Sequence, residues 1–242
     1  MNMINFWNEG FIPKQDNKPY NQTVYWSGSD NLDSFRKNPR PEYTETSITY
    51  SYNSFGFREE EFNLDNGRNN ILCLGCSHTE GIGLPLKDVW VSYLKLQYPD
   101  SNVYNLGNAS GASDTVARIL TNTVGVFKPT DVFIYWPSRN RYEVCQVPST
   151  IQVNATWNVT GHNMYMLDEL QSYNNFTKNR LIVQLLQEKY KFNLYQLEDD
   201  NMPKSFKEDG EYSRARDNHY GPVRHKKIFN YFMEQVNANT TI

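Results

Sequence analysis

Few features of this sequence mark it for nucleic acid, a membrane or an oxidising compartment. Basic residues are in the minority, Lys+Arg 24 against Asp+Glu 27 with a formal net charge of −3, so no nucleic-acid surface is expected. No apolar run approaches the roughly 18–20 residues of a membrane span. The opening stretch from Met1 to Gly10 lacks a basic region followed by an apolar one; no secretory signal is visible, and the cytoplasm is the default expectation. Cysteine is scarce, limited to Cys73, Cys76 and Cys145. An odd, low count fits a reducing compartment. Cys73 and Cys76 have Cys-x-x-Cys spacing, but no second Cys or His pair follows at metal-finger spacing. Buried thiols are therefore expected rather than a metal site. The Asn-x-Ser/Thr matches, such as Asn108, arise by chance where Asn is this common.

What is present is enough apolar material for one sizeable domain: 242 residues, 38% hydrophobic and 14% aromatic. The organising stretch is Asn70-Ile-Leu-Cys-Leu-Gly-Cys-Ser-His-Thr-Glu-Gly81. Ile71 to Leu74 are continuously apolar, as a strand buried on both faces should be. They run into the small-residue turn Gly75-Cys76-Ser77, and a helical pattern follows from about Leu86. Such a turn aims backbone N–H groups and one hydroxyl at the carboxyl end of a strand, where open α/β sheets keep their ligands. Ser77 is thereby a candidate nucleophile.

The same rhythm repeats. Asn102–Gly107 reads as a strand, opening into Asn108-Ala-Ser-Gly-Ala-Ser113, with Ser113 or Asp114 placed as an N-cap before a helix whose apolar face is Val116, Ile119, Leu120 and Val124. Asp131–Trp136 is a third buried strand, followed by Pro137-Ser-Arg-Asn-Arg-Tyr142. Repeated strand–turn–helix units predict a parallel, doubly wound sheet, with right-handed crossovers bringing the turns to one edge. Lys178–Tyr190 reads as a helix, Phe192–Leu197 as a strand, and Ile228, Phe229, Phe232, Met233 and Val236 form the stripe of a last helix.

Around this frame lie less regular parts. Residues 1–44 are polar, Pro-interrupted and dotted with aromatics, which predicts an arm packed on the body formed by residues 45–242 rather than a disordered tail. Thr44–Tyr52 reads as a short strand, and the acidic run 58–62 as a solvated face. Residues 143–165 break the rhythm, with extended segments at 146–153 and 156–159. They predict an insertion, either a substrate wall beside the catalytic edge or a surface loop.

A serine needs a base, and the base needs an orienting group. His78 adjoins Ser77 and is expected to point away from the target. His162 lies in the insertion, and His225 inside the last helix reads as a solvated surface residue. His219 sits in a loop just before that helix, after Asp217, and is the best base with Asp217 as its orienter.

Taken together these residues resemble the SGNH (GDSL-like) hydrolase superfamily. Gly75-Cys76-Ser77 is similar to its first block, Gly111 to its second-block glycine, Asn140 to its third-block asparagine, and Asp217 with His219 to its last block. Asn53-Ser-Phe-Gly-Phe-Arg58 looks like a segment that precedes the first strand in many members. The resemblance spans roughly residues 45–237. It departs from the family in three places. Cys76 stands where Asp is usual. The last block is Asp-x-His rather than Asp-x-x-His. Pro137-Ser-Arg-Asn-Arg can also be aligned with Ser138 or Arg139 at the Asn position.

The resemblance implies a flavodoxin-like three-layer α/β/α sandwich with a central parallel sheet, and no metal or organic cofactor. It also implies a Ser77–His219–Asp217 triad, and an oxyanion hole of the Ser77 and Gly111 N–H groups with the Asn140 side chain. The substrate it suggests is an acyl ester, possibly an O-acetylated polysaccharide. The alternatives are a binding or structural protein that has kept the fold without turnover, and an O-acyltransferase using the same triad.

Overall fold

The computed structural model describes residues 15, 18–145, 150–154, 169–202, 212–214 and 219–239. The strands are β1 (Gln22–Val24), β2 (Tyr50–Tyr52), β3 (Asn69–Gly75), β4 (Ser101–Gly107), β5 (Asp131–Trp136), β6 (Arg141–Cys145), β7 (Thr150–Asn154) and β8 (Asn193–Glu198). The helices are α1 (Leu32–Lys37), α2 (Ser77–Glu80), α3 (Trp90–Gln97), α4 (Ser113–Phe127), α5 (Glu169–Tyr190) and α6 (Pro222–Asn239), with a 3₁₀ turn at Leu86–Asp88.

The central sheet is β4-β3-β5-β8, parallel throughout. The first strand of the series pairs on one side with the second and on the other with the third, which is the doubly wound order. The alternation of side chains along each strand separates two cores. Leu72 and Leu74 of β3, with Val132, Ile134 and Trp136 of β5, meet Val116 and Leu120 of α4 and Val183 and Leu186 of α5. Ile71 and Cys73, with Phe133 and Tyr135, face Trp90 and Leu94 of α3 and Ile228 and Phe232 of α6. Both faces of the sheet are covered, which explains why its two central strands, β3 and β5, read as unbroken apolar runs. The result is a three-layer α/β/α sandwich.

Several local expectations are corrected. Residue 112, not Ser113 or Asp114, caps α4: the Ala112 N–H donates to Thr115 Oγ1 at 3.1 Å, and Ser113 is already helical. The run after Phe57 is not wholly a solvated face. Arg58 and Glu59 are buried, and Glu59 accepts the Asn105 N–H at 2.8 Å and pairs with Lys95 at 2.5 Å. The arm contains regular structure, because β1 pairs antiparallel with β2 and α1 is capped by Asn31, whose side chain accepts the Ser34 N–H. Within the insertion, β6 and β7 form an antiparallel hairpin. Residues 146–149 and 155–168, which include the extended segment expected at 156–159, lie outside the described residues.

Register brings the turns of the sheet to one level. Gly75 pairs with Gly107 on one side and with Tyr135 on the other. Gly107 is required for a specific reason: a Cβ there would lie 2.3 Å from the Glu80 nitrogen and 2.7 Å from the Thr79 carbonyl carbon, both backbone. The end of β4 thus packs directly on α2, the turn of helix that begins with Ser77. Gly107→Ala is expected to destabilise the protein by about 1–3 kcal/mol through overpacking, since neither backbone can move aside cheaply. Urea denaturation measures this, and an unchanged midpoint would contradict the packing argument.

Candidate active site

The site begins where β3 ends. Ser77 is the first residue of α2 and is 5% exposed. Its N–H is one of the donors a helix start leaves without an intrahelical acceptor. Its Oγ lies 3.9 Å from Cys76 Sγ, a long contact to a weak acceptor. Cys73 and Cys76 are buried free thiols, and burial pushes the Cys73 thiol well up.

Glu80 sits one turn beyond Ser77. Its fully buried carboxylate pairs with Lys18 at 2.7 Å, accepts the Tyr52 hydroxyl at 2.8 Å, and accepts the Ala109 N–H at 2.6 Å. Burial acts to raise this carboxyl, but Lys18 and the donated hydrogen bonds outweigh it and hold the group below the ordinary carboxylate range. Glu80 therefore fastens the 108–111 turn to the helix that carries Ser77. In that turn the Gly111 N–H donates to Asn108 O at 2.9 Å. The Asn108 amide in turn donates to Gln15 Oε1 at 2.8 Å.

The third turn separates its three alignable residues. Ser138 Oγ meets Asp200 at 3.0 Å, and Arg139 donates to Asp200 through its N–H and to Glu198 through its guanidinium. Both are thereby engaged at the end of β8. Asn140 keeps a buried Oδ1 with no hydrogen-bond partner among the described residues.

His78 and His219 come together. The His78 ring is buried and packs edge-on to the His219 ring, with centroids 5.2 Å apart. It stacks flat on Tyr220, at 4.0 Å and 5°. Tyr220 donates its hydroxyl to Asp199 Oδ1 at 2.9 Å, and Tyr135 donates to the same oxygen at 2.6 Å. Burial, then the carboxylate of Asp199, raises both phenols. The residue after His219 is thus held by the sheet and by the residue after Ser77. His219 itself is partly exposed, with Nδ1 3.5 Å from Ser29 Oγ. Asp217 and His162 lie outside the described residues.

His225 is not a solvated surface residue. It is 1% exposed, and its Nδ1 accepts the Trp90 N–H at 3.2 Å, satisfying a donor at the start of α3. Burial, then His219 and neighbouring arginines, lowers it to about 3. Burial, then His219 and His225, also pushes His78 well below 6.5.

Both rings are neutral in the folded protein, while the unfolded chain takes up a proton on each near pH 6.5. Their contribution to stability is therefore complete above that pH and is lost as pH falls toward the folded values. As pH falls from 6.5 to 5, His225 should reduce stability with a slope approaching about 1.4 kcal/mol per pH unit, and His78 acts in the same direction. Urea denaturation at pH 7.5, 6 and 5 checks this, and a level profile contradicts it.

The sequence matches no family model and no curated protein. Among solved structures, TesA is 13% identical, covering 69% of this chain and 97% of its own, with a TM-score of 0.43. The psychrotrophic esterase EstA from Pseudoalteromonas sp. is 15% identical, covering 72% of this chain and 100% of its own, with a TM-score of 0.41. The lipase/acylhydrolase from Enterococcus faecalis is 13% identical, covering 71% of this chain and 96% of its own, with a TM-score of 0.38.

Proposed function

We propose that this chain is a serine ester hydrolase of the SGNH type, with Ser77 as nucleophile and His219 as base. The observation that carries the reading is the edge-on contact of His78 with His219, 5.2 Å between ring centroids. It joins the turn bearing the hydroxyl to the loop bearing the imidazole at the carboxyl edge of the sheet. That edge lies beside the point where the strand order reverses, between β3 and β5.

In the mechanism, Ser77 Oγ attacks the ester carbonyl carbon as His219 accepts its proton. The tetrahedral intermediate collapses, its C–O bond to the alcohol breaks, and the imidazolium returns the proton to the leaving alkoxide. Water, deprotonated by His219, then hydrolyses the acyl-enzyme and releases the acid and free Ser77. Asp217 orients His219. The oxyanion is held by the Ser77 N–H, the Gly111 N–H and the Asn140 amide. Asn140 is favoured over Ser138 and Arg139 because those two side chains are committed to Asp200 and Glu198. The substrate is an O-acyl ester, with an O-acetyl group on a carbohydrate as the preferred class. A pocket of about 270 Å³ lined by Arg139, Tyr173, Phe176, Arg180, Gln184 and Asn201 combines aromatic and polar groups that a sugar ring could use, although none of Ser77, Gly111, Asn140 and His219 lines it.

One observation favours a binding protein of this fold without turnover: the Gly111 N–H is taken up by Asn108 O, so the donor must leave or share that bond to serve an oxyanion. Hydrolysis of p-nitrophenyl acetate, with fluorophosphonate labelling located by peptide mapping, decides between the two. Turnover with label on Ser77 supports the hydrolase. Absence of both supports the binding protein. Acyl transfer to an added sugar exceeding hydrolysis moves the assignment to an acyltransferase.

A further inference from the structure

The arm reaches the His219 loop through a closed circuit of buried groups. Asp30 and Arg214 are each 0% exposed. Arg214 donates from Nε to Asp30 Oδ1 at 3.1 Å and from Nη2 to Asp30 Oδ2 at 2.6 Å. Its guanidinium also donates to the carbonyls of Tyr25 and Glu45 and lies 3.8 Å from the ring centroid of Trp26. Asp30 Oδ2 accepts the Tyr50 hydroxyl, whose oxygen accepts the Gly83 N–H at 2.8 Å. The circuit closes where the Arg214 N–H donates to Gly83 O at 2.9 Å. Gly83 has φ +79, and a Cβ there would lie 2.4 Å from Ser213 Cβ, so the two segments are in direct contact.

Two further contacts carry this circuit to the imidazole. The Ser213 N–H donates to His219 O at 3.0 Å, and Tyr212 and Tyr220 form an antiparallel bridge beside it. Pinning Arg214 therefore pins His219 across a narrow crossing of the chain. On the other side, Gly83 closes the turn that follows Ser77 and α2. The Ser27–Asp30 turn, tied by reciprocal Ser27 and Asp30 backbone bonds, also places Ser29 Oγ 3.5 Å from His219 Nδ1.

We propose that the Ser27–Asp30 turn of the N-terminal arm is a positioning element of the active site, in which Asp30 sets the His219 loop against the Ser77 turn through Arg214 and Ser29 steadies the imidazole at Nδ1. The inference rests on the assignment of His219 as the base. The physical reason is geometric: a displacement of about 1 Å in a catalytic group costs on the order of 10²-fold in rate. A buried ion pair sharing its acceptor with a tyrosine hydroxyl is a stiff way to prevent one.

The test uses the full chain with Asp30→Asn, Ser29→Ala and Ser29→Thr. It reads kcat and KM for p-nitrophenyl acetate separately, together with the ¹⁵N signals of the His219 ring assigned with His219→Gln. Asp30→Asn is expected to lower kcat roughly 10–100-fold with KM within about twofold, and to shift the His219 ring nitrogens. If Asp30→Asn fails to fold, the exposed Ser29 decides: Ser29→Ala should lower kcat about three- to tenfold and move the Nδ1 signal, with Ser29→Thr restoring both. Ring signals are read whether or not the protein turns over ester, so they separate failure of this inference from failure of the hydrolase assignment. Wild-type His219 signals in a folded Asp30→Asn would overturn the proposal, as would unchanged signals in Ser29→Ala where Asp30→Asn does not fold.

Discussion

Ser77→Ala is expected to reduce kcat for p-nitrophenyl acetate by roughly 10³–10⁶-fold, the range seen when a nucleophilic serine is removed from a triad. The rate that survives is what the oxyanion donors provide, because a backbone N–H is retained by alanine. Stability should move the other way or hardly at all. The hydroxyl is buried, and its described contact is the 3.9 Å approach to Cys76 Sγ. Deleting a buried polar group that has only a weak partner removes a desolvation cost rather than a good hydrogen bond. A variant that loses activity while keeping or raising its melting temperature fits a serine held for chemistry. A variant that loses several kcal/mol of stability and little activity would identify Ser77 as structural.

The largest effect on stability is expected at Arg58. Its guanidinium is buried and donates to the carbonyls of Gly81 at 2.5 Å, Thr49 at 2.7 Å, Leu84 at 2.9 Å and Glu80 at 3.3 Å, and it lies 4.1 Å from the centroid of the Tyr50 ring. This one cation donates to three carbonyls at the end of α2 and in the turn after it, of which Gly81 O also accepts the Leu84 N–H at 3.3 Å. Arg58→Met keeps most of the apolar stem but strands those carbonyls away from water. Each buried carbonyl left without its donor costs about 1–3 kcal/mol, so the loss should reach several kcal/mol. Arg58→Lys should recover only part of this, because a point charge on a flexible stem cannot reach divergent acceptors at once. Urea denaturation of both variants is the check, and a loss under about 1 kcal/mol for Met would show that the carbonyls find water instead. Since the same residues follow Ser77 directly, activity should fall with stability.

Arg58 also shows why the site was only partly legible. The strands were readable because their partners are generic: any apolar residue alternating between two layers gives the same pattern, as Leu72 and Ile71 do on opposite faces. The turns were readable because parallel crossovers bring them to one edge whatever the side chains. A buried polar residue has no such signal. Glu59 and His225 look like ordinary solvated residues in sequence and are buried only because Asn105 and Trp90 meet them from other elements. Sequence adjacency to Ser77 likewise cannot say that the His78 ring stacks on Tyr220. Asp30, Ser29 and Arg214 carried no local mark, since a contact spanning 184 residues leaves no periodicity behind.

By itself, then, the sequence determined the parallel sheet, the small-residue turns and the choice of Ser77 and His219 as candidates, from backbone sterics, apolar periodicity and short-range spacing; Gly111, Asn140 and the three-layer order came as candidates from the resemblance to a known family. Tertiary structure alone decided which polar groups are buried together. It gathered His78 against His219, Glu80 against the 108–111 turn, and the arm against Arg214. The physical reason is that a charge or imidazole is stable inside a protein only when distant partners desolvate and satisfy it at once, and that condition exists only after the chain has closed on itself.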